Sequence, residues 1–213
     1  MKFVMSYSCG KDSTLALQKC IDSGNECVGL LVMVNESAGR SYFHGADHVL
    51  MEKFAVSLGF PLILCNSDGY DYHLKFEEGL ARAKDLGAEA VCFGDIDLEG
   101  NRQWGVDRCE NAGLGYFYPL WQREREDILA EIIDSGYECI IKSVDKSKLG
   151  TEFLGKKLTH ALIEEMRNAG IDACGENGEY HTIVINGPVF KTPLDVIVGD
   201  IIDFGSHAAV VIE

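Results

Sequence analysis

Ser6-Tyr7-Ser8-Cys9-Gly10-Lys11-Asp12-Ser13 is the stretch on which the fold turns. It closes a short apolar segment, Lys2–Tyr7, whose composition suits a strand. It opens Asp12–Ser23, where Leu15, Ala16, Cys20 and Ile21 recur at helical spacing. A strand that turns into a helix through Ser and Gly aims backbone N–H groups outward, and the helix dipole favours an anion there. Ser8 and Ser13 add hydroxyl donors, Gly10 keeps the backbone accessible, and Lys11 supplies a compact positive charge for a polyphosphate. Two familiar phosphate loops do not fit. A Walker A loop needs Gly at 5 and Ser or Thr at 12, where this chain has Met5 and Asp12. A dinucleotide Gly-x-Gly-x-x-Gly needs Gly at 8 and 13, where it has Ser8 and Ser13. A plain Ser/Gly turn capping a helix is the alternative.

Working outward, strand and helix patterns alternate. Gly24 stops the first helix, and Cys27–Val34 is a continuous apolar run of the kind buried on both faces of a parallel sheet. Helical patterns at Ala46–Leu58, Tyr70–Leu86 and Ile96–Ala112 alternate with strands at Pro61–Cys65, Ala90–Phe93 and Gly115–Tyr118. Glu124–Ser135 reads as a helix and Glu138–Val144 as a further strand. Repeated βα units predict an α/β fold with a parallel sheet sandwiched by helices. The polar stretch Asn35–Gly45 reads as a mobile loop at the carboxyl edge of that sheet. Beyond about residue 150 a helix at Lys156–Ala169 is followed by Gly-punctuated β segments at Thr182–Ile185, Asp195–Val198, Ile201–Phe204 and Ala208–Ile212. The expected division is an α/β domain over 1–122 and a smaller α+β domain over 123–213, with the boundary near Trp121.

Composition narrows the partners. With 19 Lys and Arg against 34 Asp and Glu, the net charge is −15. Such a chain repels phosphate backbones and anionic lipid, and no run of Lys or Arg offsets this, so general nucleic-acid binding is not expected. A chain of 213 residues buries roughly 70% of its unfolded surface and needs no staples. Its eight cysteines include no Cys-x-x-Cys pair, which speaks against a zinc or dithiol site. Cys9 alone invites attention, since a helix N-terminus lowers a thiol pKa. The segment before Ser8 is too short for a signal peptide, and the longest apolar stretch falls far short of the ~18–20 residues that span a bilayer. A cytoplasmic protein is expected.

Ser8–Ser13 resembles the Ser-Gly-Gly-Lys-Asp-Ser pattern of the PP-loop, or N-type, ATP pyrophosphatases, with Cys9 in place of the first Gly. If the backbone there needs a positive φ, a side chain at 9 crowds the phosphates unless it points away. Further residues narrow the family. Ser41-Tyr42-Phe43-His44, Gly94-Asp95-Ile96, Pro119-Leu120-Trp121, Phe153-Leu154-Gly155, Gly175-Glu176-Asn177-Gly178-Glu179-Tyr180-His181-Thr182 and Asn186-Gly187-Pro188-Val189-Phe190 follow in order. Together they resemble the diphthine–ammonia ligase family over nearly the whole chain. The chain departs from that family's Glu-Gly-Gly-Glu-Tyr-Glu-Thr pattern at Asn177 and His181. The resemblance implies a HUP-type, Rossmann-like domain that binds ATP and a smaller substrate domain. It implies adenylation of the carboxylate of diphthine, a modified histidine on elongation factor 2, followed by displacement of AMP by ammonia.

That chemistry needs fixed donors and cations where charge develops on the α-phosphate and pyrophosphate. Ser8, Cys9, Gly10 and Ser13 supply loop contacts, Lys11 the cation, and Mg2+ the remainder. Asp12 and Asp95 are the candidate Mg2+ ligands, both at carboxyl ends of strands. Asp12 also suits the helix dipole, and Asp95 also suits an N-cap before Ile96. Gly94 adjoins Asp95, and by analogy with PP-loop folds the adenine lies near Leu31–Met33. Glu176 and Glu179 are candidates to hold ammonium or to take its proton, beside Tyr180 as a substrate contact. An exposed acidic turn is the alternative for that pair. His44 is a candidate acceptor or phosphate contact, as well as an ordinary loop histidine.

Free ammonium is the simpler nitrogen source, since no glutaminase signature is present. A homodimer is compatible with the sequence. Three other functions compete: a ligase on a different carboxylate, a tRNA sulfur transferase, and a non-catalytic ATP-binding protein. The missing Cys-x-x-Cys and the −15 charge weigh against the second.

Overall fold

In the computed structural model, which describes residues 1–213, the first half of the chain alternates as the periodicity predicts. Its elements are β1 (Lys2–Ser6), α1 (Lys11–Asp22), β2 (Glu26–Asn35), β3 (Arg40–Ser41), α2 (His48–Leu58), β4 (Leu62–Ser67), α3 (Tyr72–Asp85), β5 (Ala90–Cys92), α4 (Glu99–Ala112) and β6 (Gly115–Phe117). The second half holds α5 (Arg125–Asp134), β7 (Glu138–Asp145), α6 (His160–Asn168), β8 (Tyr180–Asn186), β9 (Val198–Asp203) and β10 (His207–Ile212).

Five strands form a parallel sheet in the order β4-β2-β1-β5-β6. The chain winds outward from β1 to β4, then returns to β5 and β6 on the other side. The order therefore reverses between β1 and β5, and ligands of open α/β sheets bind at the carboxyl ends of the strands at such a point. Successive side chains of a strand face opposite ways. Accordingly Phe3, Met5, Leu30 and Val32 join one apolar cluster, while Val4, Leu31 and Met33 join another beneath Phe76 and Leu80 of α3. The helices stop where glycine supplies left-handed backbone, as at Gly59 after α2 (φ 77°).

The segment expected as a loop at 35–45 contains β3, which pairs antiparallel with Val34 and Asn35 at the end of β2. Tyr42 N–H then donates to Met33 O (3.0 Å), so this hairpin continues along the β2 edge that β1 occupies lower down. The residues just beyond the hairpin consequently lie over the turn that follows β1.

The remaining strands form an antiparallel sheet, β8-β7-β10-β9. Three details differ from the sequence expectation. The helix expected from Lys156 starts at His160, because Lys156–Leu158 runs extended against β7 with Ile141 N–H on Lys156 O (3.0 Å), and Thr159 caps the helix. The strand expected at Asp195–Val198 does not form, since only its last residue belongs to β9, which runs Val198–Asp203 along β10 and takes in most of the strand expected at Ile201–Phe204. The helix expected from Ile96 starts at Glu99, and Ile96 is buried. Ile128 and Ile132 of α5, Ile141 of β7 and Ile183 of β8 share one cluster with Phe3 and Leu30, so a single core spans both sheets. We keep 1–122 and 123–213 as a proposed division by sheet, not by core.

Candidate functional site

Between Ser6 and Lys11 the backbone must reverse tightly, and Cys9 adopts φ 69° to do so. That is the left-handed region, where a glycine would be unstrained. The Cys9 side chain turns into the core and is fully buried. Burial pushes its thiol pKa well up, which reverses the expectation of a thiol activated by the helix terminus. Hydroxyls pin the loop: Ser8 Oγ lies 3.0 Å from Ser13 Oγ, and Thr14 Oγ1 donates to Gly10 O at 2.8 Å. Behind it, Gly94 at the end of β5 approaches so closely that a Cβ would lie 2.8 Å from Ser13 N.

Lys11 is only 5% exposed, yet its side chain reaches the crevice. Its Nζ donates to Asp12 Oδ2 (2.7 Å), lies 3.8 Å from Glu176 Oε1, and sits 5.9 Å from the centre of the Tyr180 ring. Burial opposes its charge, but Asp12, aided by Glu176, holds the pKa above the ordinary lysine range. Asp12 Oδ1 is enclosed with no hydrogen-bond partner. Asp95 lies on the same crevice; Leu98 and not Asp95 precedes the first residue of α4, and Asp95 accepts a hydrogen bond from Asn101 in that helix's first turn. Burial raises its pKa and the Asp12 charge adds to this. An enclosed, unpartnered carboxylate oxygen and a second carboxylate held uneasy by the first suit a hard divalent cation such as Mg2+. Cys174 Sγ lies within 4.8 Å of the Asp12 and Glu176 carboxylates, but its thiol is pushed up to about 12 by burial and Lys11 already neutralises the group.

The loop before β8 closes the opposite wall. Glu176 faces the crevice, and burial followed by the Asp12 charge raises its pKa to about 7, against the pull of Lys11. Glu179 does not reach the crevice wall. It is 6% exposed and accepts from Asn177 N–H (3.0 Å) and Asn177 Nδ2 (3.2 Å), so it holds the loop's shape. Tyr180 lends its ring to the crevice, but its hydroxyl donates to Ala173 O (2.6 Å). His44, beyond β3, places Nδ1 2.7 Å from Thr182 O and its ring over Gly10. The His181 ring stands 4.9 Å from it. Burial keeps both imidazoles neutral, lowering His44 to about 4 and His181 to about 3.

The comparisons with known proteins meet this geometry. The family model described as diphthamide synthase N-terminal domain matches residues 1–116, and the one described as diphthamide synthase C-terminal domain matches residues 124–213. The chain belongs to the diphthamide synthase family. Among its relatives, the diphthine–ammonia ligase of Bos taurus is 26% identical over 98% of this chain and 87% of its own length. That of Rattus norvegicus is 27% identical over 92% and 83%. The diphthine–ammonia ligase of Schizosaccharomyces pombe is 26% identical over 97% of this chain, which is 38% of that longer protein. Among solved structures, a predicted subunit of tRNA methyltransferase from Methanocaldococcus jannaschii superposes with a TM-score of 0.47 at 13% identity, over 91% of this chain and all of that one.

In this diphthamide synthase family member the crevice encloses about 570 Å³, within the range of small-molecule sites. Ser8, Lys11, Asp12, Ser13, Met33, His44, Gly94, Asp95, Glu176 and Tyr180 all line it; Cys9, Gly10 and Glu179 do not. Three contributors escaped the sequence reading. Tyr72, Phe76 and Trp104 form an apolar wall, with Phe76 and Trp104 rings 4.9 Å apart. Tyr72 and Phe76 are spaced four apart on α3, but nothing in the sequence says which end of the sheet they face. Thr182 Oγ1 accepts from Lys11 N–H (3.1 Å), tying β8 to the loop. Arg125 donates to Asp97 (2.6 Å from Nε) and to Asp172, joining the loops on the two sides of the crevice. Arg102 stacks over Tyr118 and Trp121 and does not line the crevice. No helix is long and apolar enough to cross a membrane.

Proposed function

We propose that the protein is an ATP-dependent amide ligase that adenylates the carboxylate of diphthine on elongation factor 2 and converts it to the amide with ammonium. The observation that carries this reading is Lys11, buried at the turn after β1 and set between Asp12 and Glu176 at the point where the sheet order reverses. Membership of the family supports the choice of acceptor.

A carboxylate does not react usefully with an amine, because oxide is a poor leaving group. A carboxylate oxygen of the acceptor attacks the α-phosphorus of ATP, and the bond to the bridging oxygen breaks to release pyrophosphate. Lys11 and the Ser8 and Ser13 side chains line the crevice where that charge develops. Mg2+, held by Asp12 and Asp95, would add charge neutralisation on the phosphates. The Tyr72–Phe76–Trp104 wall and Met33 offer the adenine an apolar face. Ammonia then attacks the acyl carbon, AMP leaves, and the surplus proton passes to the Glu176 carboxylate. A group whose pKa is about 7 is suited to that exchange near neutral pH. Glu179 and Tyr180 act as positioning residues by fixing the loop that carries Glu176.

A sulfur transferase reading gains nothing from the structure, since all eight cysteines are buried. The test is to supply MgATP, ammonium and the diphthine form of elongation factor 2 and to identify the nucleotide product. AMP and pyrophosphate in step with amide support the reading; ADP and phosphate overturn it.

A further inference from the structure

We propose that the outward face of the antiparallel sheet docks the acceptor protein, through an apolar patch on the partner set among basic residues. This rests on the ligase reading, in which the reacting carboxylate belongs to a protein and must be delivered into the crevice.

The sheet itself runs from the crevice to the surface. His181 of β8 pairs with Ser143 of β7, Ser143 with Ala209 of β10, and Ala209 with Ile202 of β9. Directly opposed residues share a face, so these four form one cross-strand row. The next row, Tyr180, Val144, Ala208 and Asp203, turns the other way, and its first three members are buried in the core. The outward row therefore begins at a crevice residue, His181, crosses two small side chains and ends at the exposed Ile202.

Both ends of this shelf carry exposed apolar groups that no part of the chain covers. At the crevice end Phe43 is 68% exposed, 6.3 Å from the His181 ring, with φ 66°. A bulky residue held in the left-handed region at the surface is an outlier of the kind that collects at functional sites. At the far end Phe204 is 66% exposed, and all six residues of β9 are exposed along an edge that pairs with nothing on its outer side. Such an edge is a ready docking element.

Charge selects the occupant. Asp200 is exposed two residues from Ile202 on the same edge strand, and the chain as a whole carries −15. A second copy brings the same charge and is repelled, whereas a basic protein surface is steered in. Apolar contact then comes from Ile202 and Phe204, with Phe43 at the mouth of the crevice.

The experiment uses the full chain with the diphthine form of elongation factor 2 and reads AMP release. For the Ile202→Asp/Phe204→Asp variant we expect KM for the acceptor to rise about tenfold, the loss expected of a contact residue at an interface centre. The KM for ATP and the melting temperature should stay near the parent values. Asp200→Lys, a milder surface change, should raise the same KM about threefold and weaken its dependence on salt. Val56→Asp, at an even more exposed apolar position on α2, should leave it unchanged. Unchanged acceptor KM in both shelf variants overturns the proposal, as does an equal rise with Val56→Asp. So does a parent that sediments as a dimer and a shelf variant that sediments as a monomer, since the face would then belong to a second copy. A parent that releases no AMP with this acceptor refutes the ligase reading itself, and the docking proposal with it.

Discussion

Gly94→Ala probes how tightly the phosphate loop is built. The added Cβ would meet Ser13 N at 2.8 Å, with Asp12 C and Ser13 Cα at 2.9 Å. These are backbone atoms of the first turn of α1 and cannot swing aside as a side-chain tip does. Ordinary contact begins near 3.4 Å, so β5 and α1 must separate by about 3.4 − 2.8 = 0.6 Å. Overpacking of this kind costs about 1–3 kcal/mol. Its effect on chemistry should be larger than its effect on folding, because Asp12 and Ser13 sit at the displaced point and a shift of about 1 Å in a reacting geometry costs on the order of 100-fold. We expect a urea midpoint lowered in keeping with about 1–3 kcal/mol, an unchanged denaturant slope, and kcat/KM for ATP down by at least about tenfold. A variant within twofold of the parent in kcat/KM, with an unshifted midpoint, would refute the claim that this contact sets the loop.

Three further outcomes follow from the same geometry. Lys11→Ala should abolish ATP-dependent pyrophosphate release while the circular dichroism spectrum stays that of the parent; turnover at the parent rate would remove the loop from the mechanism. Glu176 has its folded pKa raised from 4.5 to about 7, so the folded state binds the extra proton and its contribution to stability is lost as pH rises from 4.5 through about 7. Glu176→Gln should flatten that part of the stability profile and remove the rise of amide formation through the same window; an unaltered pH–rate profile would contradict a proton-accepting role. His44 and His181 are shifted the other way, from 6.5 to about 4 and about 3, so their contribution is intact above 6.5 and is lost as pH falls toward 4. Parent stability should therefore decline between pH 6.5 and 4 more steeply than that of the His44→Gln/His181→Gln variant, as urea midpoints would show.

Much of the site was legible because its parts are local. The Ser8–Ser13 turn declares itself by residue type at a strand–helix junction, and the apolar run at 27–34 declares a doubly buried strand that places the turn at the sheet's carboxyl edge. What escaped depends on distance. Cys9 is readable as an odd residue in a glycine position, but only the packed core shows that its side chain turns inward. Glu176 and Glu179 look equivalent three residues apart, yet a hydrogen bond to Asn177 turns one inward and burial beside Asp12 sets the other over the crevice. Arg125 and Thr182 join loops 47 and 171 residues away, and no periodicity records such pairings. The start of β9 was misplaced because Gly199 and Asp200 resemble a turn; pairing with β10 carries the strand through both and overrides that local preference.

The most direct test of adenylation is the fate of the acceptor's own oxygen. Diphthine carrying 18O in its carboxylate should pass one labelled oxygen to the phosphate of AMP, read by mass spectrometry, for each amide formed. Label appearing in inorganic phosphate, or AMP released without it, would contradict attack of the carboxylate on the α-phosphorus.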